Sequence, residues 1–137
     1  MAGELIVRKG DVGKEMFFVH RGRCHILADD GVTELFSLKQ GSFFGEIALV
    51  LNERRTASVI AASFCDILIL RKGDLFRVIR DYPNVAIRLA EYARRRRRLA
   101  RWIRRATELV LQRAAASLVF LLLLLLLLLG GGGALAT

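Results

Sequence analysis

Glu46 and Arg55 are the side chains whose types and spacing point most directly to chemistry. Around them run Phe43-Phe44-Gly45-Glu46-Ile47-Ala48-Leu49 and, a few residues on, Arg54-Arg55-Thr56-Ala57-Ser58-Val59. A glycine turn opening a very short helix leaves backbone N–H groups pointing outward, and the helix dipole favours an anion there. An arginine fork beside a hydroxyl then closes on phosphate oxygens through paired, charge-assisted hydrogen bonds. A carboxylate in this setting repels a phosphate unless it accepts from a hydroxyl on the same ligand. Phosphate and sugar hydroxyl together suggest a nucleotide. No Ser-His-Asp, Cys-His or paired-carboxylate arrangement is readable in the chain, so the expectation is a binding protein and not an enzyme.

The other reactive residue types carry less. His20, Cys24, His25 and Cys65 invite zinc, but their spacing matches no common finger, and the adjacent Cys24 and His25 face opposite sides of a strand. No metal is expected. Two cysteines in apolar strand-like runs, with no N-terminal signal peptide, read as buried free thiols in a reducing compartment.

The elements that must hold Glu46 and Arg55 are short strands followed by helices. Residues 4–8, 16–20, 24–28, 33–38, 57–61 and 65–70 are rich in β-branched, aromatic and leucine residues. Turn signals separate them, among them Lys9-Gly10-Asp11, Arg21-Gly22-Arg23, Asp29-Asp30-Gly31 and Gln40-Gly41-Ser42. Short strands at close spacing predict an antiparallel barrel or jelly roll. Helical periodicity takes over after Lys72: a short helix over 74–80 ends near Asp81-Tyr82-Pro83, and proline suits the first position of the next helix. Val85, Leu89, Tyr92, Leu99, Ile103, Ala106 and Val110 then recur at steps of three and four, with Arg96 set into the stripe.

Phe44-Gly45-Glu46-Ile47-Ala48-Leu49 through Arg55-Thr56-Ala57-Ser58-Val59 resembles the phosphate-binding cassette of the cyclic nucleotide-binding domain family. Val7-Arg8-Lys9-Gly10-Asp11-Val12-Gly13 and Ala28-Asp29-Asp30-Gly31-Val32-Thr33 fit as well. The run Arg54 to Val59, with Asp81-Tyr82-Pro83, is most similar to cyclic nucleotide-gated and hyperpolarization-activated cation channels. The resemblance covers residues 3–105. It implies an α+β fold, an antiparallel jelly-roll barrel followed by a short helix and a long C-terminal lid helix, with the family's first strand and preceding helix expected to be missing. It implies a cAMP or cGMP ligand and no other cofactor. Phe44, Gly45, Glu46, Ile47, Ala48, Arg55, Thr56, Ala57 and Arg96 are the implied ligand-binding residues. Gly45 and Ala48 would offer N–H groups to the phosphate, and Glu46 would accept from the ribose 2′-hydroxyl. Arg55 would pair with the phosphate. Thr56 would contact the phosphate and a syn guanine, and Arg96 would cap the base; Arg54 is expected to be solvated.

Domain expectations follow: a cyclic nucleotide-binding domain over 3–110, with the barrel at 3–71 and helices at 72–110, and a low-complexity tail over 111–137. The chain has 137 residues and a formal charge of +9, but residues 1–93 carry 13 basic and 12 acidic side chains. The excess comes from Arg94, Arg95, Arg96, Arg97, Arg98, Arg101, Arg104 and Arg105. Solvated surface, anionic lipid and nucleic acid are the three readings of this cluster. The absence of a following helix-turn-helix pattern makes nucleic acid the weakest. Beyond it lie nine consecutive leucines, Leu121 to Leu129, then glycines. The apolar run from Ala114 is about 16 residues, or ~24 Å as a helix, short of the roughly 30 Å of a bilayer core. It is either a marginal membrane span or a homopolymeric repeat without a role.

The functional expectation is the cytoplasmic regulatory domain, or a fragment of one, of a cyclic nucleotide-gated cation channel. Its partners would be the rest of a channel polypeptide, tetrameric when full-length, and anionic lipid at the arginines; its location would be the cytoplasmic face of a membrane. The alternatives are a soluble cyclic-nucleotide receptor such as a kinase regulatory subunit, or a non-binding, tail-anchored interaction protein. Thr56 argues against the kinase type, which favours alanine there.

Overall fold

Strand β2 (Glu15–Arg21) explains how a small barrel and its helices share one scaffold. Period-two alternation sends Phe17 and Val19 to one side and Met16 and Phe18 to the other. Phe17 and Val19 join Val7, Cys24, Leu38, Phe44 and Val59 in the barrel core. Met16 joins Leu49 and Leu75 in a second cluster, with Phe18, Phe43, Leu70 and Leu89 packed against it. The strand is therefore covered on both faces, which is why 16–19 is a continuous apolar run. The computed structural model describes residues 1–130; residues 131–137, the end of the predicted tail, lie outside the described residues.

The remaining strands are β1 (Leu5–Val7), β3 (Cys24–Leu27), β4 (Glu34–Leu38), β5 (Phe43–Phe44), β6 (Ser58–Ala61) and β7 (Asp66–Arg71). They form two sheets, ordered β1-β6-β3-β4 and β5-β2-β7. Every pairing is antiparallel. Six strands fall where the sequence places them. The two-residue β5 shows no periodicity and is defined only by its pairing, Phe17 with Phe44 and Phe18 with Phe43. Asp30 organises the β3–β4 turn, its Oδ1 accepting from the backbone N–H groups of Val32 and Thr33 at 2.9 and 2.8 Å.

Three helices complete the described residues: α1 (Glu46–Val50), α2 (Lys72–Asp81) and α3 (Pro83–Gly130). Helix α2 carries Asp74 in its first turn and Arg80 in its last, both favourable to the helix dipole, and buries Leu75. Contacts divide the chain into two units, 1–101 and 102–137.

In the first unit, α3 presents a different face from the one its bulky periodicity predicts. Val85, Tyr92 and Leu99 are exposed. Ala93 is fully buried, and Ala86, Leu89, Ala90, Arg96, Arg97 and Ala100 are half-buried. Small residues let the helix approach a surface already crowded by Phe43 and Phe18, so the alanines outcompete the larger apolar side chains for the inward face. Arg96 lies on that face, as expected. In the second unit, Leu118, Val119, Phe120 and the leucines from Leu121 to Leu129 are all exposed around the helix.

Candidate functional site

The site is assembled where three segments meet: the β1–β2 loop, the β5–α1 junction, and the stretch before β6. Two glycines set the approach. Gly45 adopts φ +86°, a left-handed conformation, and a Cβ there would stand 2.7 Å from Arg55 Nη1. At Gly13 a Cβ would stand 2.5 Å from the Ala48 Cβ and 3.1 Å from Arg55 Cζ. Gly13, in the β1–β2 loop, belongs to the site although its sequence pattern assigned it no role; its signal was membership of the Gly10 to Gly13 run.

Arg55 lies at the centre and is only 7% exposed. Its Nη1 donates to the Gly45 carbonyl at 3.0 Å and its Nη2 to the Glu15 carbonyl at 2.8 Å. Its guanidinium sits 5.5 Å from the centre of the Phe17 ring. The backbone is pinned as well, the Arg55 N–H donating to the Asp11 carbonyl at 2.8 Å and Gly10 N–H donating to the Arg55 carbonyl at 2.9 Å. Burial pulls the Arg55 guanidinium down from its ordinary value, while the negative charges of Glu15, Asp11 and Glu46 oppose that shift. Among the described residues no carboxylate lies within ion-pair distance of it. A buried cation held by neutral carbonyls is preorganised for an anion.

Glu46, 1% exposed, is the first residue of α1. Its Oε1 accepts from Arg96 Nη1 at 2.7 Å, and the same Nη1 donates to the Phe43 carbonyl at 2.9 Å. Its Oε2 is a buried acceptor with no hydrogen-bond donor among the described residues. That oxygen can accept from a ligand hydroxyl. Arg96 is framed by aromatic rings, its Cζ 5.2 Å from the Tyr92 ring centre and 5.6 Å from that of Phe43. The next residue, Arg97, pairs with Glu53 in the loop after α1. Two adjacent arginines thus tie α3 to the two ends of the α1 segment. The sequence assigned Glu53 and Arg97 no place here, because nothing in their local pattern separates them from surface charges; Phe43 and Tyr92 lay in the glycine-turn motif and the helical stripe but were assigned no contact with Arg96.

The other candidates are placed as follows. Gly45 and Ala48 line the approach to Arg55, Ala48 being buried. Thr56 and Ala57 are half-buried beside Arg55, and Ile47 is half-buried on α1. The Phe44 ring belongs to the core, stacked on Phe17 with centroids 5.1 Å apart, so it can meet a ligand only through its backbone. Arg54 is exposed, but its Nη1 donates to the Gly10 carbonyl at 3.0 Å, so it clamps the β1–β2 loop.

The profile of the family described as cyclic nucleotide-binding domain matches residues 1–82. The chain is 38% identical over 98 residues to the cyclic nucleotide-gated channel alpha-3 of Homo sapiens, covering 67% of this chain and 14% of that one. It is 39% identical over 98 residues to the cyclic nucleotide-gated channel alpha-2 of Bos taurus, covering 67% of this chain and 15% of that one. The chain thus spans about one seventh of the length of these relatives. Among solved structures, the Thermus thermophilus catabolite activator protein superposes with a TM-score of 0.64 at 30% identity, covering 78% of this chain and 52% of that one. The jelly-roll barrel with following helices is the shared fold.

Proposed function

Because this chain belongs to the cyclic nucleotide-binding domain family, we propose that it binds cAMP or cGMP at Arg55 and Glu46 as the regulatory domain of a cyclic nucleotide-gated cation channel. The observation that carries the binding reading is the pairing, among the described residues, of a buried guanidinium that makes no ion pair and a buried carboxylate oxygen that has no donor. The cyclic phosphate meets Arg55 and the backbone of Gly45 to Ala48. The ribose 2′-hydroxyl donates to Glu46 Oε2. Thr56 meets the phosphate, and the base lies under α3 near Arg96.

Binding then acts through α3. Arg96 bonds Glu46 and the Phe43 carbonyl, so any ligand engaging Glu46 alters the contacts that hold this helix. A ligand that binds one helix position better than another shifts the population between them. In this reading the helix passes that shift to the rest of a channel polypeptide, tetrameric in the full-length protein, at the cytoplasmic face of the membrane. The exposed arginines Arg94, Arg95, Arg98 and Arg101 meet anionic headgroups. The channel attribution is supported by the identity of the relatives, and the binding role by the site. Isothermal titration of the full chain with cAMP and cGMP tests the latter: a saturable heat whose affinity falls in Arg55→Ala supports it, and no heat with either nucleotide overturns it.

A further inference from the structure

Away from the nucleotide site, at the β2–β3 turn, the two cysteines lie together. Cys24 Sγ and Cys65 Sγ are 3.8 Å apart, and both are free thiols. Cys24 is fully buried on β3, in the four-stranded sheet; Cys65 is half-buried immediately before β7, in the three-stranded sheet. The segment between β6 and β7 is pressed onto the turn. The Arg23 carbonyl accepts both from Ala62 N–H at 2.8 Å and from Cys65 Sγ at 3.0 Å. A Cβ at Gly22 would stand 2.2 Å from the Phe64 carbonyl oxygen and 2.8 Å from Cys65 Sγ. The sulfurs are therefore held beside one another by backbone packing, and a disulfide requires the 3.8 Å gap to close to about 2.05 Å.

We propose that Cys24 and Cys65 form an oxidisable dithiol that a small hydroperoxide converts to an intramolecular disulfide, stapling the two sheets of the barrel together. The thiols differ in role. Burial, reinforced by the neighbouring Cys65, pushes the Cys24 thiol up to about 12, so it is a poor first nucleophile. Cys65 is the thiol with a path to solvent. Its thiolate attacks one oxygen of hydrogen peroxide, the O–O bond breaks, and hydroxide leaves, giving a sulfenic acid. Cys24 sulfur then attacks Cys65 sulfur and expels the sulfenic oxygen, which departs as water with the Cys24 proton. Two thiols lose two electrons, and one peroxide becomes two waters. The ring closed spans 41 positions and contains β4, β5, α1 and β6, and with them Glu46 and Arg55. A reducing compartment keeps the pair open, and an oxidant pulse closes it.

The test uses the full chain, purified under reductant in detergent micelles and then treated with about one equivalent of hydrogen peroxide. The expected product is a monomer lighter by about 2 Da, inert to N-ethylmaleimide, with a peptide map joining residues 24 and 65, restored by dithiothreitol. Its melting temperature is expected to rise by at least about 5 °C, since cross-linking a long loop restricts the unfolded chain. Cys24→Ala should stop at a dimedone-trappable sulfenic acid on Cys65, and Cys65→Ser should leave Cys24 unoxidised at the same dose. Retention of two alkylatable thiols after peroxide overturns the proposal. So do cross-links formed only between chains, or the same melting shift in Cys24→Ala.

Discussion

Arg55 and Glu46 are opposite charges that do different jobs within one small volume. The guanidinium is satisfied by carbonyls, which fix its direction without neutralising it. An incoming phosphate therefore gains charge-assisted bonds without displacing a carboxylate, and such bonds contribute about 1.5–3 kcal/mol. Arg55→Ala is expected to weaken cyclic nucleotide binding by roughly 10- to 150-fold. Arg55→Lys should recover little, since an ammonium cannot reproduce the fork. Calorimetric dissociation constants for both check this, and near-wild-type affinity in Arg55→Ala removes the phosphate assignment. Arg96 belongs to the same balance. Removing it strips Glu46 of its donor and leaves a buried carboxylate uncompensated. Breaking a fully buried pair costs about 3–5 kcal/mol. The Arg96 side chain is 24% exposed, so water lessens the loss. Arg96→Ala is expected to lower unfolding free energy by roughly 1–3 kcal/mol in urea titrations. An added Glu46→Gln should recover part of it.

At the scale of elements, the glycines and alanines decide how closely the segments approach. Gly13→Ala puts a methyl 2.5 Å from the Ala48 Cβ, and neither atom can rotate away. The β1–β2 loop and α1 must separate, so the expected loss is in affinity, with overall stability falling by about 1–3 kcal/mol. Titration and urea melts on this variant separate the two effects; unchanged affinity shows that the α1 segment is not part of the binding surface. Ala93 is the corresponding point on α3, where it is fully buried. Ala93→Leu is expected to lift the helix and expose Arg96 and Arg97, read as faster amide exchange over 89–97. Much of this was legible in advance. Six strands, the short helix at Glu46, the break at Pro83 and the inward position of Arg96 all follow from turn residues, alternation and helical period. The inward face of α3 did not, because hydrophobic period favours Val85, Tyr92 and Leu99, whereas close approach selects Ala86, Ala90 and Ala93. The Glu53–Arg97 pair was illegible for another reason: two charges 44 positions apart carry no local signature.

For the whole molecule, charge and hydropathy are both concentrated toward the C-terminal half. Residues 1–93 are nearly neutral, and the basic excess begins at Arg94 and is followed by the apolar run from Ala114. A helix apolar on only one face is covered by a groove or a partner helix. Here the leucines are exposed on every side, a pattern that an apolar phase such as a bilayer would cover all round if the run inserts. The two contributions differ in salt dependence. Each basic residue near an anionic surface contributes about 1 kcal/mol, and this fades as the screening length falls from about 10 Å at 0.1 M salt to about 3 Å at 1 M. Inserted leucines do not respond to salt in that way. Flotation of the full chain with anionic vesicles is therefore expected to persist at about 1 M salt. The double variant Leu123→Arg, Leu126→Arg is expected to float at low salt and be released at high salt, because charges at the centre of the run oppose insertion by about 2.5–3.5 kcal/mol each. Wild-type chain released along with the variant would mean that only the arginines touch the membrane, and the leucine run would then have no part in attachment.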